Sequence, residues 1–327
     1  MLSDALSGCR ELAAYARLID GDARAWITAL RIFGHCPSLT LAVSSPRRMM
    51  GSLSSLAVDS GQICHIVARQ AFRLSGIKSD RTGLLMVRSG RIRIDAGGCL
   101  QARAGDLVVL GPALKMVMTA PATADAMIVQ WPADQALVPA AGLYRTAWAE
   151  PLLAGYLSRS RFFRDHCDAI EVTEHFLQRL QRALQDPARA PVPAPPAPED
   201  ERVRRAVRFL HSHPRWRFDL PTLASVAAAS ERNLYYLMKA QTGMTPYRFY
   251  QRCRLIRLRQ SLLRCHCDNP SIAWHAMDEG FSHLGRFASL YREHFGELPS
   301  DTLVWRARLR NQCEVLTAGS VQRLTAA

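Results

Sequence analysis

The segment Gly280–Gly296, GFSHLGRFASLYREHFG, places aromatic residues at helical spacing with basic residues between them. The residues predicted to face inward from its helix are Phe287, Leu290, Tyr291 and Phe295. Intervals of three and four residues predict a helix with one buried face. The polar residues of the opposite face are His283, Arg286, Ser289 and Arg292. We therefore expect an amphipathic helix that keeps its aromatic side in a core and its basic side at the surface, with Gly296 as its C-terminal cap.

A shorter helix is predicted just before this one. Ile272, Ala273 and Ala276 form a small apolar face, and the residues Glu279–Ser282 follow as a turn. Two helices joined by a short turn, the second with polar and basic residues outward, are typical of a helix-turn-helix unit that inserts its second helix into the major groove of DNA.

The segment Leu220–Gly243, LPTLASVAAASERNLYYLMKAQTG, follows the same plan. Pro221 suits a first helical turn, and Ser230 is a good N-cap for a second helix. The residues predicted to point inward from that helix are Leu234, Leu237 and Met238. Those left on its outer face are Arg232, Asn233, Tyr236 and Lys239. Together with the four outward residues of the later segment, they are the predicted DNA-binding residues.

One amphipathic helix, PYRFYQRCRLIRLRQSLLR from Pro246 to Arg264, is predicted to join the two helix pairs. Its predicted apolar stripe consists of Phe249, Leu255, Leu258 and Leu262. A helix of roughly 18 residues spans about 27 Å. Successive major grooves on one face of DNA lie about 34 Å apart. The sequence therefore predicts two recognition helices in adjacent major grooves.

These motifs resemble the AraC/XylS family of bacterial transcription regulators, over about Val203 to Arg306. The residues that carry the resemblance are LASVAAAS, LYYLMKAQTGMTP, RLIRLRQSLL, SIAWHAMDEGF and FASLYREHFGELP. The resemblance implies an activator or repressor, most often an activator that contacts RNA polymerase. The sequence departs from the family pattern at Ala228 (often Gly), Tyr236 (often Arg), Gly285 (often Ser) and His275 (often apolar).

The N-terminal half has a different pattern. Residues 36–135 contain short apolar or alternating runs separated by glycine-bearing turns, which favours a small β-sandwich or barrel. From Leu143 to about residue 186 the apolar spacing becomes helical. This half resembles the cupin-like sensor domains of the same family, chiefly through its strand pattern and the turn Gly105-Asp106-Leu107. That resemblance implies a small-molecule effector or homodimerisation.

The proline-rich segment PARAPVPAPPAP, residues 187–198, predicts an extended linker between two domains. We expect an α+β chain: a sensor or dimerisation domain over 1–186, the linker, an all-α DNA-binding domain over 199–310 with two helix-turn-helix units joined by a helix, and a tail over 311–327. The net charge of +14 fits a nucleic-acid partner. The absence of a long apolar run or a clear signal sequence favours a cytoplasmic protein with no membrane partner.

The nine cysteines are scattered and predict reduced thiols rather than a disulfide framework. Cys265-His266-Cys267 raises the possibility of a metal or redox site, against which stands the missing second ligand pair. Ordinary loop cysteines are the favoured interpretation, and no metal or cofactor is predicted.

Three alternatives remain open. Cys9, Cys36, Cys64 and Cys99 are the thiols that a DNA-targeted methyltransferase of the repair type would use, although they are too dispersed to suggest a zinc site. His35 and His65 are too few for a metal-dependent cupin enzyme. The third alternative is a regulator controlled by a partner protein. We expect a chain that is not an enzyme, and we expect Arg88, Arg91 and Arg93 to form a solvated strand face rather than an anion site.

Overall fold

The computed structural model describes residues 11–78, 80–111, 115–132, 142–186, 198–265, 267, 269–315 and 321–323. These residues form two compact units. The barrel unit contains the described residues of 15–153, 173–186 and 305–323, and the helical unit those of 11–14, 154–172 and 198–304. Antiparallel sheets dominate the first and helices the second, which confirms the predicted α+β class.

The barrel unit is built from short strands. They are β1 (Ala16–Gly21), β2 (Thr40–Val43), β3 (Gly51–Val58), β4 (Gly61–Ala68), β5 (Phe72–Ile77), β6 (Arg81–Ser89), β7 (Arg91–Asp95), β8 (Cys99–Arg103), β9 (Leu107–Leu110), β10 (Met116–Ala120), β11 (Ala124–Pro132), β12 (Gly142–Tyr144) and β13 (Val321–Arg323). One sheet has the order β1-β3-β4-β11-β6-β9-β12 and the other β13-β2-β5-β10-β7-β8. All pairs are antiparallel except the parallel pair β13–β2.

Alternation along the strands places one core between the two sheets. In β7, Ile92 and Ile94 are buried whereas Arg91 and Arg93 are exposed. Apolar residues of both sheets meet in this core, together with Leu309 from the C-terminal end of the described chain. The inward and outward faces therefore follow the period of two that a half-buried strand requires.

The strands begin earlier than the predicted residue 36. β1 pairs with β3, and helix α1 (Ala23–Phe33) lies between them in sequence. The carboxylate of Asp22 caps α1 by accepting from the amide of Ala25 at 2.9 Å, and Trp26 is buried in the core. Residues 142–144, close to the predicted start of the helical region, form strand β12 on β9. Such strands are hard to predict because their pairing partners lie far away in sequence.

The remaining helices are α2 (Ala149–Ser160), α3 (His166–Gln185), α4 (Glu201–Ser212), α5 (Leu220–Ala227), α6 (Glu231–Thr242), α7 (Pro246–Arg264), α8 (Ile272–Asp278), α9 (Leu284–Phe295) and α10 (Pro299–Val315). None of the helices in the described residues is long and apolar enough to cross a membrane. The predicted linker at 187–198 lies outside the described residues except for Pro198. The predicted domain boundaries therefore stay a prediction.

Candidate nucleic-acid interface

The first helix pair, α5 and α6, is defined by its caps. The carboxylate of Asp219 accepts a hydrogen bond from the amide of Thr222 at 2.9 Å and starts α5. The helix ends at Ala228, which adopts the left-handed conformation with φ 55° and ψ 47°. The amide of Ala229 then donates to the carbonyl of Ala224 at 3.0 Å. Glycine is favoured at such an end because it carries no Cβ, so alanine occupies this turn at a conformational cost.

Helix α6 starts at Ser230, whose hydroxyl accepts from the amide of Asn233 at 3.3 Å. It ends at the left-handed Gly243. Leu234 and Met238 are fully buried against apolar residues of α4, α5 and α7. Leu237 is only partly buried at the edge of the same core. The predicted inward face is therefore confirmed, and it fixes which side of α6 faces out.

The four side chains predicted on the outer face of α6 are all exposed: Arg232, Asn233, Tyr236 and Lys239. Tyr236 is 58% exposed. The guanidinium of Arg232 lies 5.9 Å from the centroid of the Tyr236 ring. A basic group and an aromatic ring thus share one surface of the helix.

The second helix pair, α8 and α9, has the same outline. The hydroxyl of Ser271 accepts from the amide of Trp274 at 3.2 Å and starts α8. The turn passes through Gly280 at φ +77°, and the amide of Phe281 donates to the carbonyl of Ala276 at 2.8 Å. His283 precedes α9 without a side-chain cap. This is the turn predicted from Glu279 to Ser282.

The aromatic residues of α8–α9 pack as the opening segment predicts. Ring centroids lie 5.2 Å apart for Phe281 and Phe287, 5.8 Å for Phe287 and Tyr291, and 4.5 Å for Tyr291 and Phe295. Phe287, Tyr291 and Phe295 are at most 3% exposed. Leu290, predicted to point inward, is only half-buried. The aromatic residues hold the second pair together and leave its other face to solvent.

The four residues predicted on the outer face of α9 are all exposed: His283, Arg286, Ser289 and Arg292. The Ser289 hydroxyl donates to the carbonyl of Gly285 at 3.2 Å. In the described part of the chain, none of the four basic residues Arg232, Lys239, Arg286 and Arg292 forms an ion pair. Their positive charge is therefore available to an anionic partner.

Helix α7 was predicted to have one apolar stripe, and Phe249, Leu255, Leu258 and Leu262 are indeed buried. Three polar side chains that the sequence analysis did not single out are buried as well: Arg252, Arg259 and Gln260. Arg252 and Arg259 are seven residues apart, which is two helical turns, and that spacing is the signal that places both on one face.

Arg259 is 1% exposed and lies at the centre of a polar network. Its Nη1 donates to Oε1 of Glu297 at 2.6 Å, and its guanidinium lies 4.8 Å from the ring centroid of Phe295. The hydroxyls of Tyr291 and Thr302 are 2.7 Å apart within the same network. Helix α7 is thereby bonded to the end of α9.

Two further arginines of α7 hold the turn between α8 and α9. Arg254 donates to the carbonyl of Glu279, and its guanidinium lies 4.2 Å from the Phe281 ring centroid. Arg257 forms an ion pair with the Glu279 carboxylate at 3.0 Å. Burial raises the pKa of that carboxyl, against the opposing effect of Arg257. The turn of the second pair is therefore anchored to α7 by charged groups.

His275 stands at a position that is often apolar in the family, and its polar ring is hydrogen-bonded in the structure. The side chain is buried, and its Nδ1 lies 2.9 Å from the hydroxyl of Ser261 on α7. A hydrogen bond to a neighbouring helix compensates the burial of a polar ring at a position that is often apolar.

Comparison with known proteins identifies the region that carries both helix pairs. Residues 223–304 match the model of a family described as "Helix-turn-helix domain". The XylDLEGF operon transcriptional activator 2 of Pseudomonas putida is 41% identical over 99 residues, which is 30% of this chain and 63% of that protein. Residues 223–304 form an AraC-type helix-turn-helix domain. The resemblance predicted from the motifs is confirmed for this region.

Other relatives align with this chain over a similar length. The activator RhaS of Escherichia coli O157:H7 is 31% identical over 100 residues, 31% of this chain and 35% of that protein. A solved AraC-type regulator from Chromobacterium violaceum is 29% identical, covers 33% of this chain and 93% of its own, and has a TM-score of 0.30. Each alignment thus covers less than two thirds of the length of the curated relative.

The cysteine motif lies in the loop after α7 of the AraC-type domain. The amide of Cys267 donates to Sγ of Cys265 at 3.4 Å. His266 is outside the described residues. Within the described ranges, no group of three or more His, Cys, Asp or Glu side chains is placed to hold a metal.

The candidates in the barrel unit are dispersed. Cys36 and Cys64 are buried and Cys99 is exposed, while Cys9 lies outside the described residues. His65 Nε2 lies 2.8 Å from Asp125, which also pairs with Arg88 at 3.4 Å. Arg93 pairs with Asp95 on the outer face of β7. The described thiols therefore do not share one environment.

Proposed function

We propose that this chain is a sequence-specific DNA-binding transcription regulator whose AraC-type domain contacts two adjacent major grooves. The observation that carries the proposal is the pair of helix-turn-helix units, in which the second helices and the N-cap His283 expose all eight predicted side chains. The curated relatives named above are described as transcriptional activators. Activation is therefore the proposed direction of control.

Affinity and selectivity come from different contacts. Phosphate contacts by exposed arginines and lysines supply most of the affinity, because they release condensed counterions. Selectivity comes from side chains that reach base edges, as when arginine donates to guanine or asparagine pairs with adenine. We assign these roles to the outward residues of α6 and α9.

Helix α7 sets the separation of the two units. Its 19 residues span about 28 Å at 1.5 Å per residue. This length is close to the roughly 34 Å repeat of the major groove. The predicted placement of both recognition helices on one side of the duplex stays part of the proposal.

The wider role follows from the same proposal. The chain acts in the bacterial cytoplasm, contacts RNA polymerase at its promoter, and changes its DNA binding when a small-molecule effector occupies the barrel unit. Homodimerisation through that unit is part of the same proposal. Binding and contact account for this role, and it includes no catalytic step.

The test is a fluorescence-anisotropy titration with duplexes selected by the protein from a random pool. Arg286→Ala and Arg232→Ala are each expected to weaken binding by roughly 5- to 150-fold, since a base or phosphate contact contributes about 1–3 kcal/mol. The wild-type affinity should fall about 10³- to 10⁵-fold between 50 and 200 mM salt for 6 to 10 phosphate contacts.

The matched control is Arg93→Ala, an exposed arginine on the outer face of the barrel unit. Its affinity should equal that of the wild type. Unchanged affinity for both test variants at matched salt, or a flat response to salt, would remove α6 and α9 from the interface.

A further inference from the structure

The barrel unit contains a cavity of about 100 Å³ between its two sheets. Ile66, Leu85 and Ile128 line it from one sheet, and Leu74, Ile92 and Met118 line it from the other. An apolar cavity of roughly 150 Å³ in another protein stays dry and binds benzene. The present cavity is smaller but equally apolar in its lining, so it suits a molecule no larger than a single aromatic ring.

One end of the cavity wall is polar. Gln130 of β11 is paired across the sheet with Gln62 of β4 and with Gly83 of β6. Both polar atoms of the Gln62 side chain have hydrogen-bond partners. Its Oε1 lies 2.9 Å from Nε2 of His35, and its Nε2 donates to the carbonyl of Phe33.

Gln130 differs from its neighbour. It lines the cavity and is 5% exposed. Its Nε2 donates to the carbonyl of Gly34 at 2.9 Å, which fixes the orientation of the amide. Its Oε1 is buried and has no hydrogen-bond partner among the described residues. A buried acceptor in this state costs about 1–3 kcal/mol, so a donor brought to it is stabilised.

Gly83 leaves room beside this acceptor. It lines the cavity at the register position opposite Gln130 and brings no side chain. A Cβ built there would lie 3.5 Å from Cβ of Leu110, an ordinary van der Waals distance. A methyl group at Gly83 would therefore fit in ordinary contact with Leu110, without a clash.

We propose that this cavity binds a small neutral molecule with an apolar body and one hydroxyl group, of the size of a single-ring phenol, whose hydroxyl donates to Oε1 of Gln130. This inference rests on the proposed function in one respect only: occupancy of the cavity is the signal that the AraC-type domain converts into altered DNA binding.

The lining argues against two other classes of ligand. A sugar would bury several hydroxyls against apolar side chains, and each unpaired polar group costs about 1–3 kcal/mol. Arg81, whose guanidinium would attract a carboxylate, also lines the cavity, but it is half-buried and already has interactions of its own. A carboxylate also has no proton for Oε1 of Gln130 and would repel it.

The experiment compares phenol, toluene and benzoate as probes of the full-length protein without DNA, by isothermal titration calorimetry. Phenol and toluene have equal numbers of heavy atoms and differ by hydroxyl against methyl. Phenol is neutral at pH 7 because phenolic groups have a pKa near 10. We expect phenol and toluene to bind and benzoate to bind more weakly than phenol. Tighter binding of benzoate, or no binding of phenol, would overturn the proposal.

Gln130→Leu tests the hydrogen bond apart from ligand hydrophobicity. The ratio of the toluene Kd to the phenol Kd is expected to fall about tenfold relative to the wild type, the effect of losing one buried hydrogen bond. Thermal unfolding of the same samples shows whether the variant is folded. An unchanged ratio in a folded variant removes Gln130 from the site.

Gly83→Ala tests whether phenol and toluene bind in this cavity. Its methyl group enters the cavity and should weaken phenol and toluene equally, without changing their ratio. Gly98→Ala is the matched control, because a Cβ there meets nothing within 4 Å. Equal affinities for Gly83→Ala, Gly98→Ala and the wild type place the probes elsewhere and overturn the proposal.

The two proposals fail in different ways. Calorimetry without DNA reports only on the cavity, whereas anisotropy with selected duplexes and no probe reports only on the AraC-type domain. A phenol-dependent shift in duplex affinity that disappears in Gln130→Leu would connect them. Phenol binding with no such shift would retain the cavity site and discard its role as a signal.

Discussion

The two helix pairs share one outline but are stabilised by different interactions. In the first pair, α5 and α6, the turn passes through the left-handed Ala228, and the pair packs on an apolar core with α4 and α7. In the second pair, α8 and α9, the turn passes through Gly280 and is bonded to α7 through Arg254 and Arg257.

The difference shows that one motif can be held in place by apolar packing or by buried charge. Arg259 bonds the end of the second pair to α7, whereas the first pair packs on the apolar core that it shares with α4 and α7. Burial of a guanidinium is tolerated only when its partners are present. We therefore expect the second pair to be more sensitive to changes in charged residues.

The largest effect is expected for Arg259→Met. Removing this guanidinium leaves the Glu297 carboxylate and the hydroxyls of Tyr291 and Thr302 without their shared partner. The free energy of unfolding should fall by about 3–5 kcal/mol. Urea denaturation measures the total, and hydrogen exchange should show lost protection in α9 before α6.

The double variant Arg259→Met/Glu297→Gln is the control. Because it removes both charges, it should recover a large part of the stability lost in the single variant. If α6 and α9 lose protection together, or if the double variant is no more stable than the single one, the proposed contrast between the pairs is wrong.

Acid should destabilise both pairs. Burial lowers the pKa of His211, in the core of the first pair, and of His294, on α9, to about 3 in each case. Below the ordinary histidine pKa of 6.5, both rings bind protons in the unfolded chain but stay neutral in the folded chain. The contribution of these two histidines to the free energy of unfolding is therefore fully present above pH 6.5, and it is lost as the pH falls towards 3. At pH 5.5, each histidine should lower the free energy of unfolding by about 1.4 kcal/mol.

Urea denaturation at pH 7.5 and pH 5.5 measures this loss. His211→Gln and His294→Gln cannot take up the proton, so each should reduce the dependence of unfolding free energy on pH by about 1.4 kcal/mol over this range. A pH dependence that neither variant alters would show that these two rings are not the acid-sensitive groups.

The smallest effect is expected for Ala228→Gly in the turn of the first pair. Glycine adopts the left-handed conformation without the Cβ penalty, which should raise the free energy of unfolding by about 0.5–1 kcal/mol. The measurement is the urea midpoint, which should rise while the slope stays constant.

Gly280→Ala is the mirror-image change in the second pair. It should destabilise, because a Cβ at φ +77° would also lie 2.8 Å from Nη2 of Arg254. Opposite signs for the two substitutions would show that both turns favour glycine and that only the first turn carries the less suited residue. Equal signs would show that the two turns favour different residues.

Much of the helical region could be predicted from local sequence. The caps Asp219, Ser230 and Ser271 and the terminal Gly243 and Gly296 are found where helices begin and end, because capping depends on neighbours a few residues away. The exposure of the eight predicted side chains follows from helical periodicity. Their contact with DNA stays a prediction.

Pairing between distant residues could not be predicted in this way. Strands β1 and β12 were missed because their partners lie at least 30 residues away in sequence. The burial of Arg259 depends on Glu297, 38 residues further along.

The sequence by itself determined where the helices of the AraC-type domain begin and end, and which of their faces are polar, because those properties arise within a few residues. Only the tertiary structure decided that Ala228 lies in a left-handed turn, that arginines of α7 anchor the second pair, and that Gln130 presents an unsatisfied oxygen to a cavity. These features require groups from separate strands and helices to meet in space, and their energies depend on the burial that this meeting creates.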